Sequence, residues 1–443
     1  MKWPAQRLSS GSKKSFGMYQ EASELARNGA DLIRLEVGRP WADTPLHIKE
    51  AAKAALDAGI VHYGDFRGTL SLRQALAAKL KSFNRIDVDA DEILITNGLT
   101  HASYAAFMAA IDPGDEVILL EPYYPQHIGK VEMAGGVVVS APLDASDNFS
   151  IKRELIESRI TPRTRMIVLV NPSNPTGRVY TRAELQIIAD LALQYDLLIL
   201  SDEVYEFITY DGQQHLSIAA LPGMRERTIS CYAFTKAYSM DGWRIGYVAA
   251  DKALMPALLS VTMNDVTHVN VFVQEGALAA VTGPQEPMLA MVAADQRKRD
   301  IVVEALNRIP GITCEAPQGA IYAFPDISAT GMASADLARA ILRDVHVVTE
   351  AGGFYGPAGD RHLRVCFGSE SQERLVEGMA RLTAFFSKLR PSHPCIARRG
   401  KAMQGRSILA GEGKPDEKDE GRSARRRFGA CVGVGRRRRR RRQ

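Results

Sequence analysis

Lys236 lies in the run Phe234-Thr235-Lys236-Ala237-Tyr238-Ser239-Met240-Asp241-Gly242-Trp243-Arg244-Ile245-Gly246. An apolar stretch, Thr228 to Phe234, precedes it and reads as a buried strand. A lysine at the mouth of such a strand is partly desolvated, so its neutral amine is accessible and can form an imine with a carbonyl cofactor. Eight residues on, the planar guanidinium of Arg244 suits a bidentate grip on phosphate. Gly242 and Gly246 permit close backbone approach. The spacing alone leaves a second reading open, an ordinary surface lysine in a turn.

Three more apolar runs end in residues that can do chemistry. Met166 to Val170 leads into Asn171-Pro172-Ser173-Asn174-Pro175-Thr176-Gly177. Asp196 to Leu200 leads into Ser201-Asp202-Glu203-Val204-Tyr205, and Glu92 to Thr96 into Asn97-Gly98-Leu99-Thr100-His101-Ala102. In an open, mainly parallel sheet, ligands bind beyond the carboxyl ends of the strands. Four such exits point to one shared site. Taken singly, each residue has a plainer explanation: Asp202 as a helix N-cap, Tyr205 as a satisfied core phenol, Asn174 as a turn residue, Arg364 as a surface ion pair.

The chain resembles fold-type I pyridoxal-phosphate (PLP) enzymes of the class I/II aminotransferase group, the aspartate-aminotransferase superfamily. The likeness runs from about Phe16 to about Leu389. It is carried by the Asn-Pro-Thr-Gly and Lys…Gly-Trp-Arg-Ile-Gly segments and by Leu35-Glu36-Val37-Gly38-Arg39-Pro40, Thr44-Pro45, Tyr63 with Gly68, Pro317 to Pro325, and Arg364-Val365-Cys366-Phe367. The implied fold is α/β: a large domain with a mainly parallel, doubly wound sheet and a smaller α+β domain.

The resemblance also implies roles. Lys236 binds PLP as an imine and later carries a proton from the substrate's α-carbon. Asp202 faces the pyridine nitrogen and keeps it protonated. Tyr205 and Asn174 hydrogen-bond the cofactor's phenolic oxygen. Gly98, Leu99 and Thr100 open a helix, Leu99 to Ile111, whose free N–H groups suit the phosphate, with Thr235 and Arg244 beside it. Ala233 stands where the family often has a phosphate-binding serine. Tyr124 stacks on the ring, with Tyr123 as an aromatic neighbour. Arg364 clamps the substrate carboxylate, helped by Asn174 and the Gly38 N–H. Tyr63 reaches a partner's phosphate and Met263 to Gln274 enters a partner's site, giving an isologous homodimer with shared sites.

The implied reaction moves the amino group of an L-amino acid to a 2-oxo acid in ping-pong half-reactions. β-Elimination (a C–S lyase) or amino-acid oxidation on the same scaffold is the alternative. A non-catalytic PLP-sensing regulator is a remote one, because fewer than about twenty residues precede the family-like region and the Arg run is no helix-turn-helix. Dicarboxylate-specific relatives use an arginine from the partner segment. None occurs between Leu254 and Gln296, where Asn264, Asp265, His268 and Asn270 stand instead, so aspartate is not the expected donor. Asp265 raises the option of a cationic amino acid.

The elements that position these residues follow from pattern. Strands and helices alternate from Glu92 to Ala250, as in a doubly wound domain. Thr181 to Tyr195 reads as a helix with Leu185, Ile188, Ala189 and Ala192 on one face. A charged helix, Glu286 to Leu306, opens a different module. The expected organisation is residues 1–45 packing with the small domain, 46–285 the large PLP-binding domain, 286–390 the small domain, and 391–443 a disordered Arg-rich tail.

Of the 443 residues, 46% are apolar, which suffices for a buried core, and no uncharged apolar run is long enough to span a membrane. The five cysteines are scattered and fit neither a disulfide framework nor a zinc pattern. With no apolar signal core at the N-terminus, a reduced cytoplasm is expected and no metal. From Pro391 on, 17 basic residues face 5 acidic ones, leaving 39 basic against 46 acidic before it. The basic balance therefore belongs to the tail. Expected partners are the amino-acid donor and the 2-oxo acid acceptor. No membrane partner is expected, and nucleic acid only through nonspecific attraction by the tail.

Overall fold

The computed structural model describes residues 17–389, together with Trp3 and Ala5; the Arg-rich tail falls outside the described residues. Seven strands form the main sheet: β1 Ile93–Thr96, β2 Glu116–Glu121, β3 Val137–Pro142, β4 Thr164–Val170, β5 Leu198–Asp202, β6 Thr228–Ala233 and β7 Gly246–Ala249. Their order is β1-β7-β6-β5-β4-β2-β3. Five of them run parallel as a block from β6 to β3, while β7 is antiparallel to both β1 and β6. Val, Ile and Leu fill these strands because both faces are covered.

Alternation along a strand sends side chains to opposite layers. In β4, Ile167 and Leu169 pack with Leu185, Ile188 and Ala192 of the helix Arg182–Gln194. Met166 and Val168 point the other way, toward Ala102, Ala106 and Phe107 of the helix Gly98–Ala110. Each fully buried Leu or Ile contributes roughly 1.5–3 kcal/mol of transfer free energy. The helix Arg182–Gln194 starts where Thr181 and Glu184 form a capping box.

The alternation of strand and helix does not persist to Ala250. Between β5 and β6 the chain makes only turns and two short 3-10 segments, Ile218–Ala220 and Arg225–Arg227. The exit of β5 is thereby left open rather than buried under a crossover helix. Asp202 is the last residue of β5 and caps no helix, since turns follow it. The strand starts later than expected because Asp196 takes a left-handed turn (φ 51°).

A second core gathers Leu32, Ile33 and Leu35 with Leu337, Ile341, Val347, Val365 and Leu382. Ile33–Arg34 pairs in parallel with Val347–Val348. Glu350–Ala351, Leu363–Cys366 and Tyr322–Ala323 make a three-stranded antiparallel sheet. The long helix Glu286–Asn307 ties the regions together, with Met288 in a core beside β1 and β7 and Val302 and Leu306 in the second core. Tyr205, Ile208 and Tyr210, just beyond β5, also pack into the second core. The exits of the main sheet therefore face residues of the smaller sheets.

Candidate active site

One cavity of about 460 Å³ opens where those exits meet the second core. Its lining includes Gly38, Leu99, Thr100, Tyr124, Asn174, Asp202, Tyr205, Thr235, Lys236, Arg244 and Arg364. Eleven of the thirteen residues singled out from the sequence thus share one wall system. Gly98 lies just behind it: a Cβ there would sit 2.8 Å from Arg244 Nη2. Tyr63 is not brought in. It is 88% exposed and meets the edge of His268, ring centroids 5.2 Å apart.

Lys236 follows β6 by three residues and donates to the carbonyl of Gly38. Among the described residues, no carboxylate forms an ion pair with it. Burial pushes its ammonium down to about 8, with Arg364 and Arg244 adding to the effect against Cys366 and Asp241. A lysine so placed gives up its proton far more readily than an exposed one, as imine chemistry requires.

Asp202 is nearly fully buried, with His127 Nε2 at 3.4 Å from one oxygen and the Val204 N–H at 3.3 Å from the other. Tyr124 meets the edge of the His127 ring, centroids 5.3 Å apart. Tyr205 shares a 2.6 Å hydrogen bond with Tyr322, and burial holds the Tyr205 phenol well above its ordinary range. Both hydroxyls therefore stay protonated and can donate.

Arg364 is buried in β-structure with its guanidinium 4.4 Å from the Tyr322 ring and 5.0 Å from Tyr355. It donates to Asn174 Oδ1 at 3.2 Å and to the carbonyl of Glu36. Its Nε has no partner among the described residues. Burial opposes its charge, but Tyr355, Tyr322, Cys366 and Glu350 outweigh that and keep it cationic. A buried donor left open is costly unless a ligand completes it. Gly38 is a required glycine, because a Cβ would lie 1.9 Å from the Tyr322 hydroxyl.

At the other end, the helix Gly98–Ala110 begins with no side chain capping its first turn. Its free N–H groups and positive pole face the same space as Arg244. Arg244 is exposed and held in a left-handed conformation (φ 54°), its Nη1 bonded at 2.8 Å to the Asp241 carbonyl. Such a conformation costs a non-glycine residue about 1–2 kcal/mol and here aims the side chain inward. Gly246 is needed for close packing, since a Cβ on it would lie 2.5 Å from the Tyr232 carbonyl oxygen, whereas Gly242 faces open space. The donor set fits PLP: an uncapped helix start and an arginine for phosphate, a buried carboxylate for a ring nitrogen, a desolvated amine for a carbonyl.

Residues 30–382 match the family described as aminotransferase class I and II. The chain belongs to that family. The aspartate aminotransferase of Musicola paradisiaca is 36% identical over 371 residues, covering 83% of this chain and 92% of the relative. Aromatic-amino-acid aminotransferase 2 of Thermococcus litoralis is 36% identical over 362 residues, covering 81% and 92%. Among solved structures, the alanine aminotransferase of Pyrococcus furiosus superposes with a TM-score of 0.82 at 31% identity, covering 87% of this chain and 100% of that one. This aminotransferase is a PLP-dependent transaminase of fold-type I. The three relatives are named for three different donors, so kinship leaves the donor open.

Several lining residues of the aminotransferase escaped sequence reasoning. Tyr322 and Glu36 lie inside segments that carry the family resemblance, but nothing local assigns them a job. Tyr355, Phe354 and Glu350 reach the cavity from a segment whose only signal is its pairing with Arg364, Glu350 opposite Arg364 across the strands. Burial pushes Glu350 up to about 7 and raises Glu36 as well, against the pull of Arg364 and Arg34 respectively.

Proposed function

We propose that this transaminase works through Lys236, Asp202, Tyr205 and Arg364, with the cofactor phosphate held by Leu99, Thr100, Thr235 and Arg244. One observation carries the reading: an amine, a buried carboxylate and an under-partnered guanidinium line one cavity. When bound, PLP supplies a carbonyl that condenses with amines and a ring that accepts electron density from the substrate's α-carbon. Arg364, assisted by Asn174 and the Gly38 N–H, takes the substrate α-carboxylate in two parallel hydrogen bonds. That grip fixes the Cα–H bond relative to Lys236. Lys236, with its ammonium lowered to about 8, accepts and returns the proton as general base and acid. Asp202 holds a positive charge at the ring nitrogen, and Tyr205 donates to the ring oxygen.

We propose a homodimer in which the exposed Tyr63, Val61, Leu70 and Met263 meet a second copy, Tyr63 reaching its phosphate site. Light scattering should give twice the chain mass. We also propose that residues 46–285 and 286–390 act as separate domains, and that the protein resides in the cytoplasm; the three described cysteines are all free, as a reducing compartment favours. The deciding experiment is an absorbance spectrum of wild type and Lys236→Ala during titration with L-amino acids. A visible cofactor band that a donor bleaches and a 2-oxo acid restores, present in wild type alone, is expected. Product formation without an acceptor would overturn the assignment.

A further inference from the structure

We infer that Lys130 is a positioning residue for the cofactor phosphate: through Ser103 it fixes and polarises the Leu99–Thr100 peptide, whose N–H serves that phosphate. The inference rests on reading Leu99 and Thr100 as phosphate ligands. The helix Gln126–Met133 carries His127 and Lys130 one turn apart, both buried. His127 meets Asp202, 3.4 Å away. Lys130 reaches the phosphate end instead. Its Nζ donates to Ser103 Oγ at 2.6 Å, and Ser103 Oγ donates to the Leu99 carbonyl at 2.8 Å. That carbonyl and the Thr100 N–H belong to one planar peptide unit. In a helix the carbonyl points toward the C-terminus and the N–H toward the N-terminus, here the uncapped start at Gly98. A positive charge relayed through a hydroxyl to the carbonyl oxygen polarises the peptide, so that its N–H donates more strongly to an anion. The same bonds hold the peptide in one orientation before phosphate arrives.

A buried ammonium is costly unless an anion compensates it. Lys130 is 7% exposed. Its hydrogen bond goes to a neutral hydroxyl, and it forms no ion pair with a carboxylate among the described residues. Burial pushes it down to about 8 against the attraction of Asp202 and Cys231. Asp202 lies beyond ion-pair distance, its own oxygens set against His127 Nε2 and the Val204 N–H. Burial keeps the Cys231 thiol protonated. On the other side, His101, Tyr104, Arg244 and Asp265 line a cavity of about 590 Å³ together with Lys130 and Thr100. Asp265 faces His101 there, Oδ2 3.6 Å from Nε2, and Arg244 is itself a phosphate ligand. The anion this end of the site awaits is therefore the phosphate. The need is greater in this chain because Ala233 offers that group no hydroxyl.

The test titrates full-length protein, freed of cofactor, with PLP and with pyridoxal, which keeps the ring and carbonyl but lacks the phosphate. The visible band gives a Kd for each. Lys130→Met should weaken PLP roughly tenfold more than pyridoxal, the effect of one charge-assisted hydrogen bond. Lys130→Arg keeps the charge and should recover most of that difference, whereas Ser103→Ala cuts the relay and should lower the preference for PLP in the same direction. Equal weakening of both ligands in Lys130→Met would assign the residue to Asp202 or to folding alone and overturn the inference. An unchanged ratio in Ser103→Ala would do the same, and that variant carries the comparison if Lys130→Met fails to fold. Wild type that binds pyridoxal as tightly as PLP would instead sink the underlying reading of the phosphate site.

Discussion

Two partly buried lysines of this aminotransferase are treated in opposite ways. Lys79 donates to Glu206 at 2.5 Å, to Asn84 at 2.8 Å and to Tyr247 at 3.2 Å, and lies over the rings of Phe83, Phe207 and Tyr232. Its network continues through Asn84 to Ser217 and on to Glu203 and His215. Among the described residues, Lys236 has one main-chain carbonyl and no carboxylate bond. An amine bonded to a carboxylate within a network fixes structure, whereas a buried charge left short of partners stores a demand that substrate or cofactor can meet. Arg364, whose Nε has no partner among the described residues, belongs to the second kind.

The comparison breaks most sharply by exchanging the two lysines' fates. Lys236→Ala should abolish the visible cofactor band and lower turnover by about 10⁴-fold, since both nucleophile and proton carrier are lost. Lys79→Met should keep the band, as absorbance of the reconstituted variants will reveal. Arg364→Lys comes next: a point charge replaces the planar fork, so kcat/KM should drop roughly 10²-fold for every donor. A loss confined to one class of donor would place Arg364 on the side chain instead.

How far the sequence carried depends on range. The strand exits around Asn174, Asp202 and Lys236 were legible because each pairs an apolar run with chemical residues a few positions on, and the fold class was implied by the family resemblance. Glu36 and Glu350 were not. They are more than three hundred residues apart, and only the pairing of Glu350 with Arg364 and the packing of Gly17 against the Glu350 carboxylate bring them to one wall. The loss of a crossover helix after Asp202 was equally hidden, since the turns there still contain helix-compatible residues.

Stability should separate the networks where activity does not. Lys79→Met leaves Glu206 buried beside Asn84 alone, which should destabilise the fold by about 3–5 kcal/mol. Denaturant titration of the cofactor-loaded protein measures it. A change under about 1 kcal/mol would mean the network is dispensable, and the contrast with Lys236 would lose its structural arm.

The smallest effect sharpens the contrast from the other side. In cofactor-free protein, Lys236 has a folded pKa near 8 against an ordinary 10.5. Between those values the unfolded chain binds more protons than the folded one, so stability from this group rises with pH. Below 8 the folded state must hold a buried ammonium, and Lys236→Met should therefore raise the Tm of the cofactor-free protein most at neutral pH. The gain should shrink as pH climbs from 8 toward 10.5. Glu350 runs with the opposite sign: raised to about 7 from 4.5, it weakens the fold as pH rises between those values, and Glu350→Gln should recover that loss. A pH-independent gain in Lys236→Met would show that its amine is as well solvated as a surface lysine, and that under-partnering does not mark the site.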